Sequence, residues 1–116
     1  MKYKVWDKKN QCWASSDIMV DHSGVLYYTF GSKIEMIDDP ENYEVFWEIV
    51  HLGVRAFVGD VVDYNAYSAS NELVRSAQTG MIKLTDEGLF LNGLAIRFTR
   101  ITGVLGHSKD LKWELT

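Results

Sequence analysis

The side chains in this chain with chemical reach are three histidines, one cysteine and several acidic pairs, and their spacing builds no catalytic centre. His22, His51 and His107 lie in three separate regions. No two have the i, i+2 or i, i+4 spacing with which imidazoles share an ion, so they are expected in turns and on the surface. Cys12 is alone, which excludes an intrachain disulfide and a cysteine-based zinc site. Next to Trp13, with no basic cluster to lower its pKa, it reads as a packing residue. Asp60 and Asp63 are three apart in a strand-like stretch and would point to opposite faces, poor geometry for sharing one ion. Asp38-Asp39 and Asp86-Glu87 fall in turn-like segments, where solvated carboxylates keep ordinary pKa values and do no acid–base work. There is no Gly-x-Ser-x-Gly elbow, phosphate-binding glycine loop or His-Glu-x-x-His helix. The sequence predicts no enzyme, no bound metal and no cofactor.

Charge distribution is more informative. The 116 residues carry a net charge of −4. Residues 1–50 hold five lysines against nine acids, and residues 51–116 hold seven basic and seven acidic side chains. The deficit concentrates in Glu35, Asp38, Asp39, Glu41, Glu44 and Glu48, a stretch without Lys or Arg. Such a single-sign block steers a basic partner over about a Debye length, 8–10 Å at physiological salt. The plainer reading is a solvated loop around Pro40. The partner-binding candidates are these six acids together with Trp47 and Trp113.

Four Trp, six Tyr and five Phe supply large rigid contact area for interfaces, although most rings in a small β-domain fill its core. Trp6, Tyr28, Phe57 and Phe98 are expected in the core, and Tyr27, Trp47, Tyr67 and Trp113 at the surface. A second set suits single-stranded nucleic acid: Tyr64 and Tyr67 for stacking, with Lys83, Arg97 and Arg100 for phosphates. The balanced charge of the second half weighs against it.

The elements that must position these groups are strands. Lys2–Trp6 and Lys33–Ile37 alternate polar and apolar, and Val25–Phe30 is rich in aromatic and branched residues. Tyr43–Val50 fits a strand with Val45, Trp47 and Ile49 on one face or a helical stripe of Phe46, Ile49 and Val50, the strand being favoured, and Val54–Tyr64 is strand-like on both sides of Gly59-Asp60, a turn or bulge. Met81–Leu84, Leu89–Leu91 and Leu94–Phe98 form a meander, with Asn92-Gly93 as a type I′ hairpin turn. Ser70–Ala77 has a capping residue and helix formers, and Ser108–Leu111 has room for one helical turn with Ser108 as N-cap. The polar stretch 64–79 reads as a long mobile insertion. At the C-terminus, Leu111, Trp113 and Leu115 alternate with polar residues, as a strand that closes a barrel or adds to a neighbour's edge. With 47% hydrophobic and 24% charged residues and no apolar run near the ~18 residues a membrane helix needs, the chain is expected to be a soluble cytoplasmic domain.

Three strings, Tyr3-Lys4-Val5-Trp6-Asp7, Val58-Gly59-Asp60-Val61-Val62 and Thr102-Gly103-Val104-Leu105-Gly106 followed by Asp110-Leu111, occur in this order along the chain. In that order the chain resembles the YopX family of small phage and prophage proteins, a family with a fold and no established activity. It departs from the family pattern at the abbreviated Leu52–Ala56 segment and at Val104, Gly106, Ser108 and Lys109. The resemblance implies an all-β fold: an SH3-type small barrel in residues 51–105, an N-terminal β-meander over 1–50 packed on it, and a tail over 106–116. It also implies a bacterial host cytoplasm. The functional expectation is a non-enzymatic phage or prophage accessory protein that acts by protein–protein contact or self-assembly, inhibition of a host factor being one form. The alternative is a nucleic-acid-binding barrel.

Overall fold

The computed structural model describes residues 2–14 and 17–113, and within them the fold is mainly β and antiparallel. The chain divides into two compact units, Lys2–Phe46 and a second that begins at Trp47, so the division falls inside a strand.

The first unit contains β1 (Tyr3–Asp7), β2 (Cys12–Trp13), β3 (Ile18–Val20), β4 (Leu26–Phe30), β5 (Lys33–Met36) and the start of β6 (Tyr43–His51). β1 lies between β2 and β6, while β3, β4 and β5 form a separate three-stranded sheet in that order. Period-two alternation divides each strand between two faces. The inner face of the three-stranded sheet supplies Ile18 and Leu26, which join Val5 and Ile37 in a buried cluster, with Tyr3, Tyr28, Tyr43 and Val45 packed against it. Asp7 ties the β1–β2 turn by accepting from Asn10 Nδ2 at 2.8 Å and the Asn10 amide at 3.1 Å. Trp6 is buried and meets Trp13 edge-on across the β1–β2 pair, centroids 5.0 Å apart. Cys12, expected to be a packing residue, is exposed, because β2 is a two-residue strand with only β1 beside it.

The second unit comprises the end of β6, β7 (Val54–Phe57), β8 (Asp60–Tyr67), β9 (Leu73–Thr85), β10 (Gly88–Leu91), β11 (Leu94–Ala95), β12 (Thr99–His107) and the one-turn helix α1 (Ser108–Leu111). β7 pairs with the end of β6, and the remaining strands form a sheet in the order β11-β10-β9-β8-β12. Register shifts bend both β8–β9 and β8–β12, giving a half-barrel rather than a flat sheet. Its core is Ala56, Val62, Tyr64, Ala66, Ile82, Leu91 and Ile101.

Several local expectations meet their structure here. Asn92-Gly93 closes the β10–β11 hairpin with φ of 48° and 79°, the positive pair that a type I′ turn needs. Gly59 turns β7 into β8 with φ of 92°, and Asp60 Oδ2 accepts the Phe57 amide at 2.8 Å to hold the turn. The second and third sequence strings then pair across β8–β12: Val104 stands opposite Val62, and Gly106 opposite Val61. Leu94–Phe98 is only partly strand, since Ile96–Phe98 forms a 3-10 turn.

Other expectations are corrected. Ser70–Ala77 is no helix, and 64–79 is no loose insertion. β8 and β9 form one long hairpin with Tyr67 opposite Leu73 and Ala66 opposite Arg75. Asn65 Oδ1 accepts the Ala77 amide at 3.1 Å, which holds β9 through its irregular stretch. His107 is buried rather than superficial: its Nε2 donates to Val58 O at 3.1 Å and its Nδ1 accepts the Lys109 amide at 3.2 Å. That second bond makes His107, not Ser108, the N-cap of α1. Leu111 ends α1 and Trp113 is in no strand, so the alternating strand does not form over 111–113; Glu114 and Leu115 lie outside the described residues.

Candidate functional site

The predicted acids divide between the two units. In the first, Glu35 is on β5, Asp38 and Asp39 follow it, Glu41 is in the Pro40–Asn42 turn, and Glu44 begins β6. Glu35, Asp38, Asp39 and Glu41 are exposed, and no Lys or Arg among the described residues pairs with their carboxylates. Lys8 approaches the turn, but its Nζ donates to the Glu41 backbone carbonyl, at 3.1 Å. Glu44 is half-buried. Glu48 belongs to the second unit and leaves the block: it stands opposite Phe57, so Arg55, two residues away on β7, is its same-face diagonal neighbour and comes within 3.8 Å of its carboxylate. A stretch of sequence without bases therefore acquires one from a neighbouring strand. Trp47 is half-buried, and its backbone carbonyl accepts the Val58 amide at 2.9 Å. Trp113 is exposed at 37%.

What sequence reasoning missed lies on the outer face of the three-stranded sheet. Met19 stands opposite Tyr27, and Tyr27 opposite Met36, so these three form one row across the sheet. Ile34, opposite Thr29, is on the same face in the next row. Met19, Ile34 and Met36 are 37%, 60% and 66% exposed. Tyr27 is half-buried, and its hydroxyl donates to Asp21 Oδ2 at 3.2 Å, which raises its pKa. Among the described strands, β5 alone has every residue exposed. Alternation in the sequence marks two faces of β5 without telling which one the fold covers.

The nucleic-acid candidates are partly assembled. Tyr67, Arg97 and Arg100 line one open groove of about 390 Å³ together with Ser68, Asn71 and Phe98. The Arg97 guanidinium lies 4.7 Å from the Phe98 ring centroid, and neither arginine pairs with a carboxylate among the described residues. The β8–β9 hairpin brings Tyr67 to the groove, the 3-10 turn before β12 brings Arg97, and the start of β12 brings Arg100. Tyr64 is not available for stacking. It is 3% exposed in the core, and its hydroxyl accepts from Asn92 Nδ2 at 2.8 Å. Lys83 is elsewhere, beside Asp86, Glu87 and Phe90. Phe57 and Phe98, expected in the core, are half-buried.

Asp60, Asp63, His51 and His107 of the second unit are engaged in structure. Asp60 holds Phe57, and Asp63 Oδ1 accepts from Thr79 Oγ1 at 2.7 Å. His51 Nε2 donates to Thr99 O at 2.8 Å. Among the described residues no group of three His, Cys, Asp or Glu is placed to hold a metal ion, and no helix is long and apolar enough to cross a membrane.

Among solved structures, the chain is similar to the crystal structure of YopX from Bacillus subtilis, with 14% sequence identity over 98% of this chain and 97% of that one and a TM-score of 0.55. No family model matches the sequence. No curated protein matches it either. The likeness to YopX is one of fold along nearly the whole chain, and the resemblance carried by the three short strings has its structural counterpart there.

Proposed function

We propose that this protein is a non-enzymatic accessory protein, of phage or prophage origin and acting in the bacterial cytoplasm, whose work is contact with another protein. One observation carries the reading: the row Met19–Tyr27–Met36, with Ile34 beside it, leaves an apolar sheet face in water, with Asp38, Asp39 and Glu41 just beyond β5 and Glu35 exposed on the strand's other face, none of them paired with a base among the described residues. Clustered exposed apolar side chains rimmed by charge are what an interface presents before it is covered. The rim selects a basic partner, and inhibition of a nucleic-acid-handling host enzyme is one outcome such a surface serves. The engaged state of Asp60, Asp63 and His107 supports the non-enzymatic part. The resemblance of the three sequence strings to the YopX family supports the phage setting.

Affinity capture of the tagged chain from host lysate after nuclease treatment tests this. A stoichiometric protein should be retained by the parent and lost from a Met19→Ser/Ile34→Ser/Met36→Ser variant and from a Glu35→Lys/Asp38→Lys/Glu41→Lys variant, both with unchanged circular dichroism. Equal retention by both variants would sink the assignment.

The groove of Tyr67, Arg97 and Arg100 favours a second reading, single-stranded nucleic acid held on the half-barrel. Only three of the five residues expected for that role meet there.

A further inference from the structure

The backbone of β5 defines how a partner is held. Leu26 stands opposite Ile37, and the Ile37 amide donates to Leu26 O at 3.0 Å, which makes this a hydrogen-bonded pair. Bonded and non-bonded pairs alternate along an antiparallel ladder, so Tyr28/Glu35 and Phe30/Lys33 are bonded and Tyr27/Met36 and Thr29/Ile34 are not. The other side of β4 has the matching parity, since the Thr29 amide donates away from β5, to Asp17 O at 2.8 Å. The N–H and C=O groups of Ile34 and Met36 therefore point outward from the sheet edge, and among the described residues β5 has no second neighbouring strand. Natural edges of this kind are usually shortened, twisted away or covered. Here Lys33 and Glu35 provide the only charges on the strand, and both apolar side chains remain exposed.

We infer that β5 is an acceptor edge for an extended, basic peptide segment of a partner protein, which adds as a fourth strand beside β5 and bonds to the main chain of Ile34 and Met36. This deepens the protein-contact reading and rests on it. Charge complementarity chooses the occupant. Glu35 on the strand and Asp38, Asp39 and Glu41 just beyond it outnumber Lys33, so an added strand rich in Lys or Arg gains where an acidic one is repelled. Main-chain bonds supply affinity in this mode, and Ile34 and Met36 would pack against alternate apolar side chains of the segment.

Amide hydrogen exchange on the full chain tests it, with two end-blocked octapeptides as probes, one alternating Lys and Val and one alternating Glu and Val. At nine times its dissociation constant the Lys-Val peptide should slow exchange at Ile34 and Met36 by about tenfold, from the factor 1 + [L]/Kd. The Glu35 amide, already bonded within the sheet, should change little. The Glu-Val peptide should have no effect. Ile34→Pro removes an outward donor without touching the β4–β5 ladder and should abolish the slowing at Met36, with unchanged circular dichroism showing that the sheet persists. Binding that shifts the Met19 and Met36 methyl resonances without slowing the two amides would overturn strand addition while leaving the face-contact reading standing. Absence of binding, equal slowing by both peptides, or slowing that grows with protein concentration alone would also overturn it, the last by assigning the edge to a second copy. Loss of the lysate partner from the serine variant is read separately and judges the underlying contact.

Discussion

Asn92 Nδ2 donates to Tyr64 Oη at 2.8 Å, so a turn residue satisfies the one polar atom of a core tyrosine. The same nitrogen donates to Thr79 O at 3.1 Å. A β-carbon built on Gly80 would come within 2.9 Å of the Asn92 amide, which is pinned at both contacts. Gly80 therefore keeps open the space through which the β10–β11 turn reaches the core. Asn92→Gly keeps the positive φ while removing the amide, and should cost about 1–2 kcal/mol by stranding the Tyr64 hydroxyl. Gly80→Ala should cost a similar amount by displacing Asn92. In the double variant the two costs should fall short of additivity by about 1 kcal/mol, because the displaced group is already gone. Urea denaturation of the four proteins measures this, and strict additivity would show that Gly80 acts through something other than Asn92.

The same contact shows what the sequence holds and what it hides. Asn92-Gly93 was legible because a two-residue turn between strands is local chemistry. That Asn92 reaches Tyr64 depends on the β9–β10 register and is visible only when folded. Ser70–Ala77 reads as helix by local propensity, yet β8 offers a ladder partner, and pairing outweighs a helix too short to stand alone. The acidic block is plain as charge, but Arg55 reaches Glu48 only because β7 folds back on β6. On β4, Tyr28 packs against the core and Tyr27 faces the other side, as expected from the sequence, but only the register shows that Met19 and Met36 extend the Tyr27 row across the sheet. Tyr64 and Tyr67 look alike in sequence; three residues apart on a strand they separate, one into the core and one toward a groove.

Acid should destabilise the first unit through Asp7. Its carboxylate is held below the usual 3.8 chiefly by the Asn10 side chain, then by the Asn10 amide, with Asn42 Nδ2 adding a bond at 3.0 Å. A folded-state pKa below the unfolded one gives stability that is complete above the unfolded value and lost as pH falls through the folded value. Asp7→Asn should therefore be less stable than the parent near neutral pH, and the difference should shrink as pH falls below 3.8. Urea midpoints across the acid range check this. A difference that persists unchanged into the acid range would mean that Asp7 contributes packing rather than charge.

Tyr28 and Tyr43 join their hydroxyls at 2.6 Å beside the first core. The bond, with burial second, pushes the Tyr43 phenol up to about 12 from 10.0. Because the folded value is raised, this contribution is fully present below pH 10 and is lost as pH rises toward 12. Tyr43→Phe should cost about 1 kcal/mol at neutral pH, and Tyr28→Phe in that background should cost little more. By phenolate absorbance, the late-titrating step should vanish in Tyr43→Phe. Persistence of that step would place the perturbed phenol elsewhere among the six tyrosines.

The groove of Tyr67, Arg97 and Arg100 gives the nucleic-acid reading a sharp test, because the five residues first grouped for that role now separate. If a single strand is held there, labelled oligo-dT should bind at about 50 mM salt with affinity that falls as salt rises, by about 0.7 log units per log unit for each phosphate neutralised. Arg97→Ala and Arg100→Ala should each lower that slope by about 0.7, since each removes one phosphate contact. Tyr67→Ala should cost about 1–3 kcal/mol of binding with a smaller change in slope, the pattern of a lost stacking platform. Lys83→Ala, beside Asp86 and Glu87 and off the groove, should leave both affinity and slope unchanged. Tyr64→Phe should alter stability and not binding, because its hydroxyl faces Asn92. Fluorescence anisotropy across a salt series on the folded variants reads all five. Binding that Arg97→Ala and Arg100→Ala leave intact, or that Lys83→Ala weakens as much, would place the strand elsewhere or show a nonspecific charge effect. Retention on nuclease-treated lysate without oligonucleotide binding would leave the sheet face of the first unit as the working surface.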